Sequence, residues 1–299
     1  MRNLLAVVVA MLAAACVAAC SGSGRGPGPY GAQAAGLGES LTVLGWNMTL
    51  SNLRWEADRV LIDVVARVAE PDAGHAAAAD LRFGLYGTPL HPMEAPGIGS
   101  CDPLMALTSQ PLSNRDPDRL AGTVCLGPLK ERSAVRGVYV YSPADRIKGT
   151  TVAYSATFPV GVPPTNPGDT GLALTTQGVA AFHAGGSPLT PAALGDLRAF
   201  TGNGYMVLSL AVDAVAVGYR TESAARGGPL MLLAGPAAPM PGLSPDCLSF
   251  GSAVLILPEA SLNSVHVATS LCTHGEINAA VLYGSLSVVG THAAVWTNS

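Results

Sequence analysis

Residues 60–68, Val-Leu-Ile-Asp-Val-Val-Ala-Arg-Val, decide the fold class of this 299-residue chain. Their apolar side chains alternate with Asp63 and Arg67, which is the period-two pattern of a half-buried β-strand. The run Thr151–Val160 repeats the alternation. Further short strand-like segments, separated by glycine and proline turns, lie at residues 81–86, 135–141, 205–217, 252–257, 278–283 and 291–296. The pattern predicts an all-β protein built from antiparallel sandwiches.

A faint internal repeat predicts that the chain carries two copies of one domain. The repeated features keep the same order at an offset of 145 to 148 residues. They are Leu85-Tyr86-Gly87, Pro92-Met93, Pro96-Gly97, Cys101 and Cys125 in the first copy, and Leu233-Ala234-Gly235, Pro239-Met240, Pro241-Gly242, Cys247 and Cys272 in the second. A chance match is the alternative.

The repeat predicts where the two domains begin and end. We expect tandem sandwiches at residues 41–160 and 171–299. The stretch 161–170 is rich in proline and glycine, so it is the predicted linker. One helix is expected within the second domain, with Thr190 as its cap and Pro191 in its first turn.

The N-terminus has the layout of a targeting segment. Arg2 precedes an apolar run at residues 4–19, which is short for a spanning helix because about 20 residues are needed. Residues 17–20, Val-Ala-Ala-Cys, resemble the lipobox of bacterial lipoproteins. The resemblance implies that residues 1–19 are a signal peptide, that cleavage occurs before Cys20, and that Cys20 carries a diacylglyceryl group. Two or more acyl chains, such as palmitate, on one cysteine give a stable anchor on the extracytoplasmic face of the cell membrane.

Two alternatives to this anchor remain. The first is an ordinary secretory signal with an incidental cysteine. The second is modification at Cys16, although residues 13–16 lack the aliphatic first residue and no flexible segment follows them. Residues 20–40 are rich in glycine, serine, proline and alanine, so they are the predicted tether between lipid and fold.

The overall charge excludes one class of partner. The chain has a net charge of −4 and a pI near 5.8. It has no basic stripe to neutralise phosphates, so we expect no nucleic-acid partner. The expected partners are the membrane, through the lipid on Cys20, and an envelope protein or lipid ligand of unknown identity.

The cysteines beyond the anchor form one pair in each half. An even number at matched spacing in an exported protein predicts disulfides, and the repeat favours Cys101–Cys125 and Cys247–Cys272 over the other pairings. A metal site at Cys272, His274 and Glu276 is the alternative, but no further ligands lie at a useful spacing. We therefore expect no metal and no cofactor.

The sequence lacks the motifs of common catalytic sites. It contains no Gly-x-Ser-x-Gly elbow, no phosphate-binding loop and no dinucleotide fingerprint. Its six histidines, at positions 75, 91, 183, 266, 274 and 292, are scattered. Residues 114–119 contain acidic side chains that could bind calcium, but a solvated turn is the favoured interpretation. Trp46 and Trp55 are expected to pack in the core or at an edge rather than to stack against a sugar. We predict no catalytic residues.

Residues 42–48, Thr-Val-Leu-Gly-Trp-Asn-Met, and the segment through Leu53 resemble a strand of the small secreted immunogenic proteins of mycobacteria. The resemblance implies an immunoglobulin-like β-sandwich. It also implies a non-catalytic role, because that family has no established enzymatic activity.

These observations predict a lipid-anchored protein of the cell envelope that binds a protein partner or an apolar envelope component. The first alternative is an envelope hydrolase whose residues come from separate loops. The second is a structural spacer. Fold alone does not decide among these functions.

Overall fold

The computed structural model describes a large part of the chain. The described residues are 32–89, 92–103, 109–146, 153–159, 172–183, 185–189, 203–235, 254–256, 264–276, 283–288 and 290–298. The predicted signal peptide, the lipidation site Cys20, the linker 161–170 and the predicted helix at Thr190 lie outside the described residues.

Two five-stranded sheets form a sandwich from strands of the first half of the chain and the last strand, β17. The strands of the first sheet, in spatial order, are β1 (Gln33–Gly36), β17 (Thr291–Thr297), β9 (Val135–Arg146), β5 (Arg82–Gly87) and β6 (Glu94–Pro96). The strands of the second sheet are β2 (Ser40–Val43), β3 (Trp46–Glu56), β4 (Arg59–Val68), β8 (Arg119–Leu126) and β7 (Ser113–Asp116). All pairs are antiparallel except β1–β17, which is parallel.

The core of this sandwich lies between the two sheets. Alternate side chains of β3 and β4, including Trp46 and Ile62, are fully buried in one cluster with Phe83 of β5, Val138 of β9 and Trp296 of β17. The alternation within residues 60–68 therefore sets the buried face, as the sequence predicts. The all-β fold is confirmed, while its immunoglobulin-like and tandem character stays a prediction.

Two smaller sheets and a helix come from the second half of the chain. One sheet has the order β10 (Ala153–Pro159), β16 (Tyr283–Val288), β13 (Leu230–Gly235) and β14 (Val254–Ile256). The other has the order β11 (Ala173–His183), β12 (Asn203–Val215) and β15 (Ser264–Glu276).

Helix α1, at Ala216–Arg226, follows β12 directly and ends at Gly227, whose φ is +85°. The sequence predicts a strand through residue 217 and misses this helix. The apolar pattern of β12 continues into Ala216 and Val217, so the sequence does not show where the strand ends and the helix begins.

Two strands cross the predicted domain boundary. β10, assigned by the sequence to the first domain, pairs with β16. β17, assigned to the second, pairs with β9 and β1 in the first sandwich. Alternation identifies a strand and its buried face but not its partner, so the sequence could not reveal these pairings. Each of these strands thus pairs outside the predicted domain to which the sequence assigns it.

The predicted tether also ends earlier than residue 40. β1 begins at Gln33 and β2 at Ser40. The sequence of β1, Gln-Ala-Ala-Gly, has no apolar alternation, and β17, from the opposite end of the chain, pairs with it. Local patterning therefore could not reveal this strand.

Candidate functional site

A cleft opens at one end of the sandwich, where two connecting segments meet the end of β9 and the start of β17. Its volume is about 430 Å³. We call it the histidine cleft, and its described lining consists of Leu44, Gly45, Gly74, His75, Ala76, Ala77, Asp80, Ser142, Ala144, Asp145 and His292. Two imidazoles and two carboxylates thus share one concave surface.

The tight turn between β2 and β3 forms one side of the cleft. Leu44 and Gly45 occupy the left-handed region, with φ of +57° and +78°, as the two-residue turn of a hairpin requires. A Cβ atom at Gly45 would lie 2.6 Å from the Cα atom of His75. Glycine at this position therefore allows the loop before the 3₁₀ turn Ala78–Asp80 to pack directly against the hairpin.

Trp46 holds that loop in place. Its indole Nε1–H donates to the carbonyl oxygen of Ala76 at 2.9 Å, and the Ala76 N–H donates to the carbonyl oxygen of Leu44 at 2.8 Å. The His75 ring packs edge-on against the buried Trp46 indole, with 4.4 Å between ring centroids. Trp46 is a core residue, as predicted. Trp55 is half-buried and lies beneath the Arg132 guanidinium, 5.2 Å from its ring centroid.

The opposite side of the cleft carries Ser142, Asp145 and His292. The Nδ1 atom of His292 lies 3.8 Å from the Oδ2 atom of Asp145, and both side chains are partly exposed. The Ser142 hydroxyl is buried and accepts the N–H of Ala144 at 3.2 Å. Among the described contacts none joins this hydroxyl to an imidazole, which an activated serine nucleophile requires. The cleft offers hydrogen bonds and negative charge to a ligand.

One predicted disulfide is confirmed. Cys101 and Cys125 are bonded, with their Cα atoms 4.9 Å apart. Cys272 is also disulfide-bonded. Cys247 lies outside the described residues, so the pairing of Cys272 with Cys247 stays a prediction.

The metal sites considered from the sequence gain no support. A thiol in a disulfide does not provide the thiolate that zinc binds, and Cys272 is in a disulfide. Within the part of the chain that the structure describes, no three histidine, cysteine, aspartate or glutamate side chains are grouped to hold a metal ion. At residues 114–119 the Asp118 N–H donates to Asp116 Oδ1 at 3.0 Å in the turn between β7 and β8.

Sequence reasoning missed a buried polar cluster that joins the two halves. The Glu94 carboxylate of β6 accepts hydrogen bonds from the Tyr139 and Tyr141 hydroxyls of β9 and forms an ion pair with Arg226 of α1. Arg226 Nε also donates to Glu222 Oε2 at 2.9 Å. No motif or spacing connects these residues, and only the fold brings them together.

Burial and charge shift the titration of this cluster. Burial raises the pKa of the Tyr139 and Tyr141 phenols above their ordinary value, and the Glu94 carboxylate raises it further. Burial alone would lower the pKa of Arg226, but the negative charge of Glu94 outweighs it and raises the pKa. The two phenols therefore stay protonated and the Arg226 guanidinium stays charged, and the cluster connects α1 to the first sandwich.

A second imidazole–carboxylate pair lies on the surface. The Nδ1 atom of His266 in β15 lies 2.5 Å from the Oδ1 atom of Asp213 in β12, and more than half of each side chain is exposed. The pair is directly opposite in the sheet register. Its exposure suits a solvated cross-strand pair better than a binding pocket.

No known protein family, curated protein or solved structure matches the chain. Among the described residues no helix is long and apolar enough to cross a membrane.

Proposed function

We propose that the protein is exported, cleaved before Cys20 and anchored by lipid on Cys20 at the extracytoplasmic face of the cell membrane. There it binds an envelope ligand without transforming it. The lipobox-like residues 17–20 support the anchor. The histidine cleft is the observation that supports binding.

Three features of the cleft suit a binding site. Its volume falls in the range of about 300–1,000 Å³ that is usual for small-ligand pockets. Its loops are held by backbone hydrogen bonds and by Trp46, so little conformational entropy is lost when a ligand binds. It combines small apolar residues with a few polar groups, which fix the orientation of a ligand.

The same features favour binding over the two alternatives. A passive spacer does not need a preformed cleft lined by four titratable side chains. A hydrolase with a serine nucleophile needs the hydroxyl in contact with a base. The described contacts of Ser142, Asp145 and His292 provide hydrogen-bonding groups without that arrangement.

The anchor is tested on the full chain expressed in a bacterium that processes lipoproteins. We expect a mature N-terminus at Cys20 whose mass includes acyl chains. Cys20→Ser removes the lipid, whereas the matched variant Cys16→Ser leaves it in place. Lipid retained in Cys20→Ser would contradict the proposed anchor.

Binding is tested by native mass spectrometry of the same lipidated protein after gentle extraction. We expect additional mass that leaves on denaturation. Ala144 is an exposed residue of the cleft and Ala225 an exposed residue of α1. Ala144→Trp should fill the cleft and abolish the additional mass, while the control Ala225→Trp retains it. A wild-type mass equal to that of the lipidated chain alone would contradict small-ligand binding.

A further inference from the structure

We propose that the histidine cleft faces the membrane and receives the primary ammonium group of a lipid head group in the leaflet that holds the anchor. This inference rests on the proposed anchor at Cys20. Its structural basis is the point at which the chain enters the fold and the charge of the cleft lining.

The tether enters the fold beside the cleft. β1 and β17 are parallel, with Gln33 opposite Ala294. His292, which lines the cleft, precedes Ala294 by two residues in β17. Strand spacing and rise place the Cα atoms of Gln33 and His292 about 8 Å apart. The first residue of β1 is therefore at the cleft end of the sandwich.

The next two strands confirm which end this is. β1 runs away from the cleft, and β2 returns along the second sheet to the Leu44–Gly45 turn, which also lines the cleft. β3 then leads away for 11 residues to the turn at Asp58. At the usual rise per residue this distance is about 35 Å. Asp58 thus marks the end of the sandwich far from the tether.

As a flexible coil, the tether is on average shorter than the sandwich. Only residues 21–32 separate Cys20 from β1. A chain of this length spans about 40 Å when fully extended and about 19 Å on average as a flexible coil. The cleft end is therefore held near the head groups, and the Asp58 end is on average held farther away.

The charge of the cleft selects the head group. Its described lining contains the Asp80 and Asp145 carboxylates and no lysine or arginine. Carboxylates attract an ammonium group and repel a head group with only a phosphate. A primary ammonium can donate N–H hydrogen bonds to these carboxylates, which the quaternary ammonium of choline cannot, so an amine of the phosphoethanolamine type fits.

The test uses the lipidated full chain in phosphatidylcholine vesicles with or without phosphatidylethanolamine. A water-soluble carbodiimide couples a carboxylate to a nearby primary amine, forming an amide while the carbodiimide takes up the released water as a urea. The chain has only two lysines, Lys130 and Lys148, so competing amines are few. Peptide mass spectrometry then locates the lipid adducts, with Asp58 as the matched control carboxylate.

We expect adducts at Asp145 and Asp80 that exceed the adduct at Asp58 by at least about tenfold, because confinement raises the local amine concentration. Asp145→Asn should also reduce the adduct at Asp80. Equal labelling of Asp58, or no labelling of either cleft carboxylate, overturns the inference. Equal labelling in phosphatidylcholine vesicles supplied with soluble glycerophosphoethanolamine also overturns it, since the amine then needs no membrane.

Vesicle flotation separates failure of this inference from failure of the anchor. Protein that floats but shows no cleft adduct retains its anchor and contradicts only the head-group site. Protein that does not float contradicts the anchor and, with it, the inference.

Discussion

Arg226, the last residue of α1, forms a buried ion pair with Glu94 of β6, which lies 132 residues earlier in the chain. The Arg226 side chain is 5% exposed and the Glu94 side chain 14%. Tyr139 and Tyr141, which donate to Glu94, are fully buried on the face of β9 opposite to the core residues Val138 and Val140. The sheet that contains β9 is therefore covered on both faces, and this polar cluster helps to fix α1 on its outer face.

Removing Arg226 should destabilise the protein strongly. Arg226→Met leaves the Glu94 carboxylate buried without its counter-ion, which typically costs about 3–5 kcal/mol. The free energy of unfolding is measured by urea denaturation. Glu94→Gln combined with Arg226→Met should recover part of the loss, because the buried charge is then absent.

A surface pair provides the control. The Arg54–Asp63 pair has a separation of 2.8 Å, and each side chain is about one-third exposed. Arg54→Met should cost at most about 1 kcal/mol. Equal losses for Arg54→Met and Arg226→Met would contradict a special role for the buried cluster.

Alkaline pH should weaken the same cluster. The pKa values of Tyr139 and Tyr141 are raised in the folded state, whereas an unfolded tyrosine titrates near pH 10. Stability is therefore unaffected below about pH 10 and falls as the pH rises further, by about 1.4 kcal/mol per pH unit for each tyrosine. Unfolding free energies between about pH 8 and pH 11 measure the slope. Tyr141→Phe should reduce this slope, and a wild-type curve without an alkaline decline would refute the account.

The last strand should stabilise the first sandwich rather than the second half of the chain. Trp296 of β17 is fully buried in the first core, and its indole N–H donates to the Glu39 carbonyl at 3.0 Å. Trp296→Ala should cost about 3–5 kcal/mol. Hydrogen exchange should show lower amide protection in β3 and β4. Loss of protection confined to β12 and β15 would mean that β17 belongs with the second half.

The sequence predicts the fold class because one periodicity determines it. The alternation in residues 60–68 places Val60, Ile62 and Val64 on the buried face, where the structure has them. The spacing of Cys101 and Cys125 likewise predicts a disulfide that the fold forms. Both signals lie in local patterns or composition.

The partners of β10 and β17 and the histidine cleft depend on long-range contacts, which local sequence patterns do not reveal. β10 and β17 have ordinary strand sequences, and nothing in them specifies β16 and β9 as partners. His75 and His292 are two scattered histidines in the sequence, and they share a cleft only because β17 returns to the first sandwich. The residues of the site can therefore be identified only when the strand pairing is known.

The Cys101–Cys125 bond should contribute measurably to stability. It closes a loop with a sequence separation of 24 residues. In the chain-entropy model such a loop contributes about 3 kcal/mol by restricting the unfolded state. Cys101→Ala combined with Cys125→Ala should lower the free energy of unfolding by about this amount in urea. An unchanged midpoint and slope would show that the bond adds no stability.

A pair of glycine substitutions tests whether the hairpin and loop shape the cleft. Gly45 has a positive φ, and an added Cβ would lie 2.6 Å from the His75 Cα and 2.7 Å from the Gly74 carbonyl oxygen. Gly45→Ala should therefore displace the loop and cost at least about 1–2 kcal/mol, since the left-handed conformation alone costs this much for a residue with a side chain.

Gly74 also lines the cleft, but a Cβ there meets no atom within 4 Å. Gly74→Ala should change stability by no more than about 0.5 kcal/mol. Urea unfolding gives the stability, and the chemical shifts of the His75 ring report the position of the loop. If both variants shift His75 equally, the close approach of Gly45 does not determine the shape of the cleft.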